Sequence, residues 1–159
     1  HVLDEDYYKR IEAIQFTMSH DDGKKVDDIN TADVVLLGVS RTSKTPTSIY
    51  LANRGYKTVN IPLVLDQEIP EDLYSNNTSC IVGLIADPER LSDIRRNRVA
   101  IMQDQNLKEY TDLESINKEV EDSKKLFKKN GWPIIDVTRR SVEETAASIL
   151  KIIEIKKNK

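Results

Sequence analysis

The run Ala32-Asp33-Val34-Val35-Leu36-Leu37 is short, nearly uninterrupted in its apolar character, and ends directly in the polar stretch Gly38-Val39-Ser40-Arg41-Thr42-Ser43-Lys44-Thr45-Pro46. A strand that lacks in-out alternation is one buried on both faces, as in a parallel sheet covered by helices. Gly38 to Thr45 follows the phosphate-cradle pattern G-x-x-x-x-G-K-[ST], in which backbone N–H groups wrap phosphates, the lysine neutralises them and the hydroxyl reaches Mg²⁺. The one departure is Ser43, which stands where the second glycine normally permits an unusual torsion and close backbone approach. Serine there either tolerates the same turn or reshapes it. The plain alternative is an ordinary strand, a Ser/Thr-rich turn and a helix beginning near Pro46.

The rest of the chain alternates in the same way. Tyr8, Ile11, Ile14 (or Gln15) and Met18 recur at helical spacing and define the apolar face of a first helix, which stops at Ser19-His20-Asp21-Asp22-Gly23. Thr47 to Arg54 reads as a short helix closed by Gly55, and Thr58 to Val64 as the next strand. Cys80 to Ala86 is a third strand, and Asp87-Pro88 opens a helix because an aspartate accepts from an orphan N–H while proline suits the first helical position. Leu91, Ile94, Arg98 and Ile101 share one face of that helix. Thr111-Asp112-Leu113-Glu114 and Ser141-Val142-Glu143-Glu144 are capping boxes for two further helices, the first stopped by Gly131, with a short strand from Pro133 to Val137 between them. This order predicts an α/β domain of the P-loop type, an open and mostly parallel sheet with helices on both faces. Ligands of such sheets bind at the carboxyl ends of strands, where the loop after Leu37 and Asp87 both fall.

With 159 residues the chain is long enough for one domain with a real core, and residues 1–159 are read as one. Its net charge of −3 gives no general reason to bind nucleic acid or a membrane surface. A single cysteine, Cys80, and two histidines exclude a disulfide framework and argue against structural zinc, which fits a reducing, cytoplasmic setting. No apolar stretch reaches the length of a membrane span, and no signal peptide is visible. The chain begins at His1, which leaves an upstream segment open.

Five constellations could carry chemistry. Lys44 and Thr45 suit phosphate charge and Mg²⁺ respectively, with Ser40, Arg41, Thr42 and Ser43 as further donors. His20-Asp21-Asp22 sets an imidazole and two carboxylates shortly before the strand that feeds the loop, where an acid or base for phosphoryl transfer could act; the other reading is a solvated helix end. Asp87 closes a strand as a Walker B carboxylate would, and serves equally as a helix cap. Arg90, Arg95, Arg96 and Arg98 concentrate positive charge on one helix, either as phosphate-binding forks, Arg95 and Arg98 above all, or as a solvated face. Arg139-Arg140 has the same two readings.

Ala32 to Pro46 resembles, together with the continuation Ser48 to Lys57, the pyruvate phosphate dikinase and phosphoenolpyruvate synthase regulatory proteins. Further matching segments are His20-Asp21-Asp22-Gly23, Asp87 to Leu91 with Ile94 to Arg98, Gly131 to Thr138, and Ser141 to Ala147, so the likeness runs along nearly the whole chain; Ser43 belongs to this family's version of the loop. The resemblance implies a bifunctional enzyme that phosphorylates a threonine of its target with ADP and removes the phosphoryl group with inorganic phosphate, releasing pyrophosphate. Gly38, Val39, Ser40, Arg41, Thr42, Ser43, Lys44 and Thr45 match the ADP-binding loop. In that chemistry Lys44 steadies phosphoryl charge, His20, Asp21 or Asp22 exchanges the proton, Thr45 and Asp87 hold Mg²⁺, and the dikinase or the synthase is the protein substrate. Family members carry a further N-terminal region, so the chain is expected to be the C-terminal part of a longer protein. A generic P-loop kinase or ATPase for small molecules and a non-catalytic nucleotide sensor are the rival readings, and the sequence leaves the oligomeric state open, a homo-oligomer included.

Overall fold

In the computed structural model, residues 5–20, 29–63, 69, 71–75, 78–102 and 112–157 are described. The elements are α1 (Glu5–Ser19), a 3-10 turn (Ile29–Thr31), β1 (Val34–Gly38), α2 (Lys44–Asn53), β2 (Thr58–Pro62), α3 (Glu71–Ser75), β3 (Cys80–Ile85), α4 (Pro88–Met102), α5 (Leu113–Lys129), β4 (Ile134–Asp136) and α6 (Val142–Lys157). All strand pairs are parallel, and the sheet order is β2-β1-β3-β4. The open α/β sheet expected from the sequence is therefore present.

Every residue of β1 is buried, as the unbroken apolar run demands. Its side chains alternate between two cores. Val34 and Leu36 join Leu51 of α2, Val82 and Leu84 of β3, and Ile149 of α6 on one side. Val35 and Leu37 join Ile29, Val59, Ile61 and Phe127 on the other. Phe127 of α5 reaches β3 because Gly83 has no side chain: a Cβ there would lie 2.4 Å from the ring. Glycine inside a strand commonly marks such an approach.

Helix ends follow the local chemistry, with small shifts. Ser141 Oγ accepts from Glu144 N at 3.1 Å and Glu144 Oε1 accepts from Ser141 N at 3.5 Å, so this capping box forms as expected. At α5 the cap is Asp112 instead of Thr111, its carboxylate accepting from Ser115 N at 3.3 Å. α2 starts at Lys44, two residues before Pro46.

The orientation of α1 departs from expectation. Ala13, Thr17 and His20 face inward, whereas Tyr8, Ile11 and Met18 are 58%, 38% and 65% exposed. A polar anchor decides the face: Thr17 Oγ1 accepts from Thr58 N at 3.1 Å, which satisfies an N–H on the outer side of β2.

Candidate functional site

From β1 the chain runs to β2 on one side, and from β3 it proceeds to β4 on the other. The crevice between the carboxyl ends of β1 and β3 is thus the topological switch point, where open parallel sheets bind ligands. Gly38 pairs in register with Leu84, so the loop after Gly38 and the turn at Asp87 flank this crevice. Gly38 is needed for contact. A Cβ on it would lie 2.6 Å from Thr42 Oγ1 and 2.9 Å from Leu84 O.

The loop folds around its own lysine. Lys44 is only 6% exposed, and its Nζ donates to Val39 O at 2.9 Å and to Thr42 Oγ1 at 3.4 Å. Thr42 Oγ1 in turn donates to Val39 O at 2.9 Å. Ser43 tolerates the turn and does not reshape it: at φ 62° and ψ 28° it takes the left-handed torsion that a glycine would supply. Arg41 is left-handed too, with φ 72°. Ser40, Arg41, Ser43, Lys44, Thr45 and Pro62 line a cavity of about 150 Å³ at the front of the loop.

Thr45 is aimed by a neighbouring strand. Asn60, fully buried in β2, donates from Nδ2 to Thr45 Oγ1 at 3.0 Å. The backbone N–H of the same Asn60 donates to His20 O at 3.3 Å, so the end of α1 is tied to the strand that aims Thr45. His20 is buried and stacks on Phe16, with ring centroids 3.8 Å apart. Its Nδ1 lies 2.6 Å from Phe16 O and 3.0 Å from Ser19 Oγ, and since a carbonyl can only accept, Nδ1 carries a proton. Asp21 and Asp22 lie outside the described residues.

Asp87 caps α4, its Oδ2 accepting from Arg90 N at 3.3 Å, while its own N–H donates to Thr138 Oγ1 at 2.8 Å. The arginine group divides. Arg90, Arg96, Arg139 and Arg140 are exposed, as a solvated face would have them, and Arg140 donates to Ser148 Oγ. Arg95 is 1% exposed: Nη1 pairs with Glu119 Oε2 at 2.7 Å and Nη2 donates to Ser40 O at 3.1 Å. The side chain of Arg98 lies outside the described residues.

Two participants escaped the sequence reading. Asn60 left a signal, a polar residue within the apolar run Val59-Asn60-Ile61; Glu119, one acid among many on a charged helix, left none.

An all-parallel open sheet with a lysine-bearing loop at its switch point defines the class as an α/β ligand-binding domain of the doubly wound kind. Comparison with known proteins narrows it. A sequence profile of the kinase/pyrophosphorylase family matches residues 1–150, and the chain belongs to that family. It is 63% identical to a protein of Pelagibacter ubique over 99% of this chain and 58% of that one. Against a protein of Erythrobacter litoralis the identity is 53%, covering 96% of this chain and 55% of the relative, and against one of Sinorhizobium fredii 55%, covering 96% and 56%. All three bear the provisional name pyruvate, phosphate dikinase regulatory protein. The chain thus spans a little over half the length of these relatives.

Proposed function

We propose that this chain carries the nucleotide-binding and phosphoryl-transfer core of an ADP-dependent threonine kinase that regulates pyruvate, phosphate dikinase and also runs the phosphate-dependent reverse reaction. The family description and the relatives' names support the kinase and pyrophosphorylase pairing and favour the dikinase as target. The observation that carries the reading is the buried Lys44 ammonium enclosed by the Gly38–Thr45 loop at the switch point, with Ser43 in the torsion of the missing glycine.

In the forward direction the threonine hydroxyl attacks the β-phosphorus of ADP, the bond to the α-phosphate oxygen breaks, and phosphothreonine and AMP result. In reverse, inorganic phosphate attacks the phosphothreonine phosphorus, giving pyrophosphate and the free hydroxyl. Lys44 would steady the charge on the transferring oxygens. The loop backbone would hold the donor. Proton exchange with the hydroxyl or phosphate would fall to Asp21, Asp22 or His20. The donor types suit a Mg²⁺ ion, which Thr45 Oγ1, held by Asn60, and the Asp87 carboxylate, with one oxygen on the α4 cap, would hold. Bound there, it would neutralise phosphate charge.

The test incubates the chain with purified dikinase and ADP and reads phosphothreonine by mass spectrometry together with AMP, followed by addition of phosphate and assay of pyrophosphate. Phosphothreonine with ADP as donor, reversed by phosphate, is the expected result. ATP turnover without a protein acceptor would favour a small-molecule kinase, and binding without turnover a nucleotide sensor. Lys44→Ala should weaken ADP binding roughly tenfold or more and depress both reactions; unchanged binding would remove the cradle assignment.

A further inference from the structure

Arg95 is placed behind the cradle loop, not in front of it. Its guanidinium does not line the cavity formed by Ser40, Arg41, Ser43, Lys44 and Thr45, yet it donates to Ser40 O, a carbonyl of that same loop. Across a trans peptide the C=O and the following N–H point in opposite directions, and this chain has no cis bond among its described residues. Holding the Ser40 carbonyl back towards α4 therefore turns the Arg41 N–H away from α4. Among the described residues, Arg41 is the first of two non-glycine residues in the left-handed region. Such torsions persist only where surrounding contacts over-determine them, and concavities of successive N–H groups that bind anions are built from such turns.

The second arm of the fork explains how the clamp is anchored. Nη1 meets Glu119 Oε2 on α5 at 2.7 Å, so one rigid side chain ties the loop to two helices. A planar guanidinium can serve two acceptors in fixed directions, which an ammonium cannot. A buried ion pair is poor evidence of a stabilising role, since apolar replacements of similar size are often as stable or more so. We propose that Arg95, held by Glu119, is a positioning residue that sets the loop backbone for the terminal phosphates of a nucleoside diphosphate. The proposal rests on the nucleotide-binding reading above.

The experiment separates the clamp from both stability and the reading beneath it. ADP and pyrophosphate are titrated into the wild-type chain, Arg95→Lys and the double variant Arg95→Met with Glu119→Leu, and each protein is melted without ligand. Removing both charges should leave the melting temperature of the double variant near or above that of wild type. Its affinity for ADP and for pyrophosphate should nonetheless fall by a similar factor, roughly tenfold or more, the loss expected when a charge-assisted hydrogen bond no longer sets the loop. Arg95→Lys, able to keep the pair with Glu119 but not the fork, should melt like wild type and still bind several-fold more weakly. A double variant that binds ADP as tightly as wild type would overturn the proposal and leave the nucleotide reading intact. A wild-type chain that takes up no ADP would end that reading, and this proposal with it.

Discussion

Ser43 and Gly38 occupy the two glycine positions of the loop pattern, and the structure treats them oppositely. Ser43 needs only a torsion; Gly38 needs empty space. A left-handed non-glycine residue costs about 1–2 kcal/mol, and glycine's extra unfolded-state freedom returns about 0.5–1 kcal/mol of that. Ser43→Gly should therefore raise stability by no more than about 1.5 kcal/mol and leave ADP binding in place. Gly38→Ala should do the reverse. Its Cβ would meet a backbone oxygen of β3 and a hydroxyl fixed to Val39 O, neither at the end of a flexible chain, for a loss of about 1–3 kcal/mol together with weaker ADP binding. Urea unfolding and ADP titration of the two variants check this, and a destabilised Ser43→Gly would mean that the serine hydroxyl itself matters. The loop was legible in the sequence because its pattern is local, eight consecutive residues with one strand before and one helix after. Arg95 was not, because a buried arginine and an exposed one look alike on a helix until the partner, here 24 residues away, is known.

At the scale of the element, most boundaries were legible from caps and apolar runs, whereas the facing of α1 was not. Periodicity identified a helix and one apolar stripe, but the sheet edge offered α1 an unpaired N–H at Thr58, and the Thr17 hydroxyl met it. Removing that hydroxyl should therefore cost more than removing apolar bulk. Thr17→Val leaves a buried N–H without its acceptor and is expected to cost about 1–3 kcal/mol. Met18→Ser, on the exposed face at 65%, should change stability by no more than about 0.5 kcal/mol. Thermal melts of the two variants distinguish the orientations; a larger loss for Met18→Ser would turn the helix back to the face that its apolar spacing suggests. The strand order was equally beyond the sequence, since parallel strands of similar apolar character carry no label for their neighbours.

For the molecule as a whole, Cys80 supplies a reporter that is independent of the loop. It opens β3 on the side of the sheet whose core holds Leu51 and Ile149, is 4% exposed, and is the chain's single cysteine. Burial pushes its thiol above the ordinary range, and the nearby Lys156 ammonium only partly opposes this. The native state therefore holds the proton to higher pH than the unfolded chain does. Stability from this group is fully present below the unfolded value of about 8.5 and is lost as pH rises through the higher folded value, because above 8.5 the unfolded state binds fewer protons. Wild type should lose urea resistance as pH rises above about 8.5 more steeply than Cys80→Ala, whose slope lacks this contribution while other titrating groups remain common to both. At pH 8 the native thiol, which lines a cavity of about 280 Å³ but is only 4% exposed, should react with an aromatic disulfide reagent more slowly than in denaturant, where burial no longer shields it. Saturating ADP binds only the folded chain and should slow that labelling further, in proportion to its concentration over its dissociation constant, if opening of β3 also undoes the crevice between β1 and β3. Labelling that ADP leaves unchanged would mean that the reagent reaches Cys80 without disturbing the loop, through the neighbouring cavity or by opening of the β3 end alone.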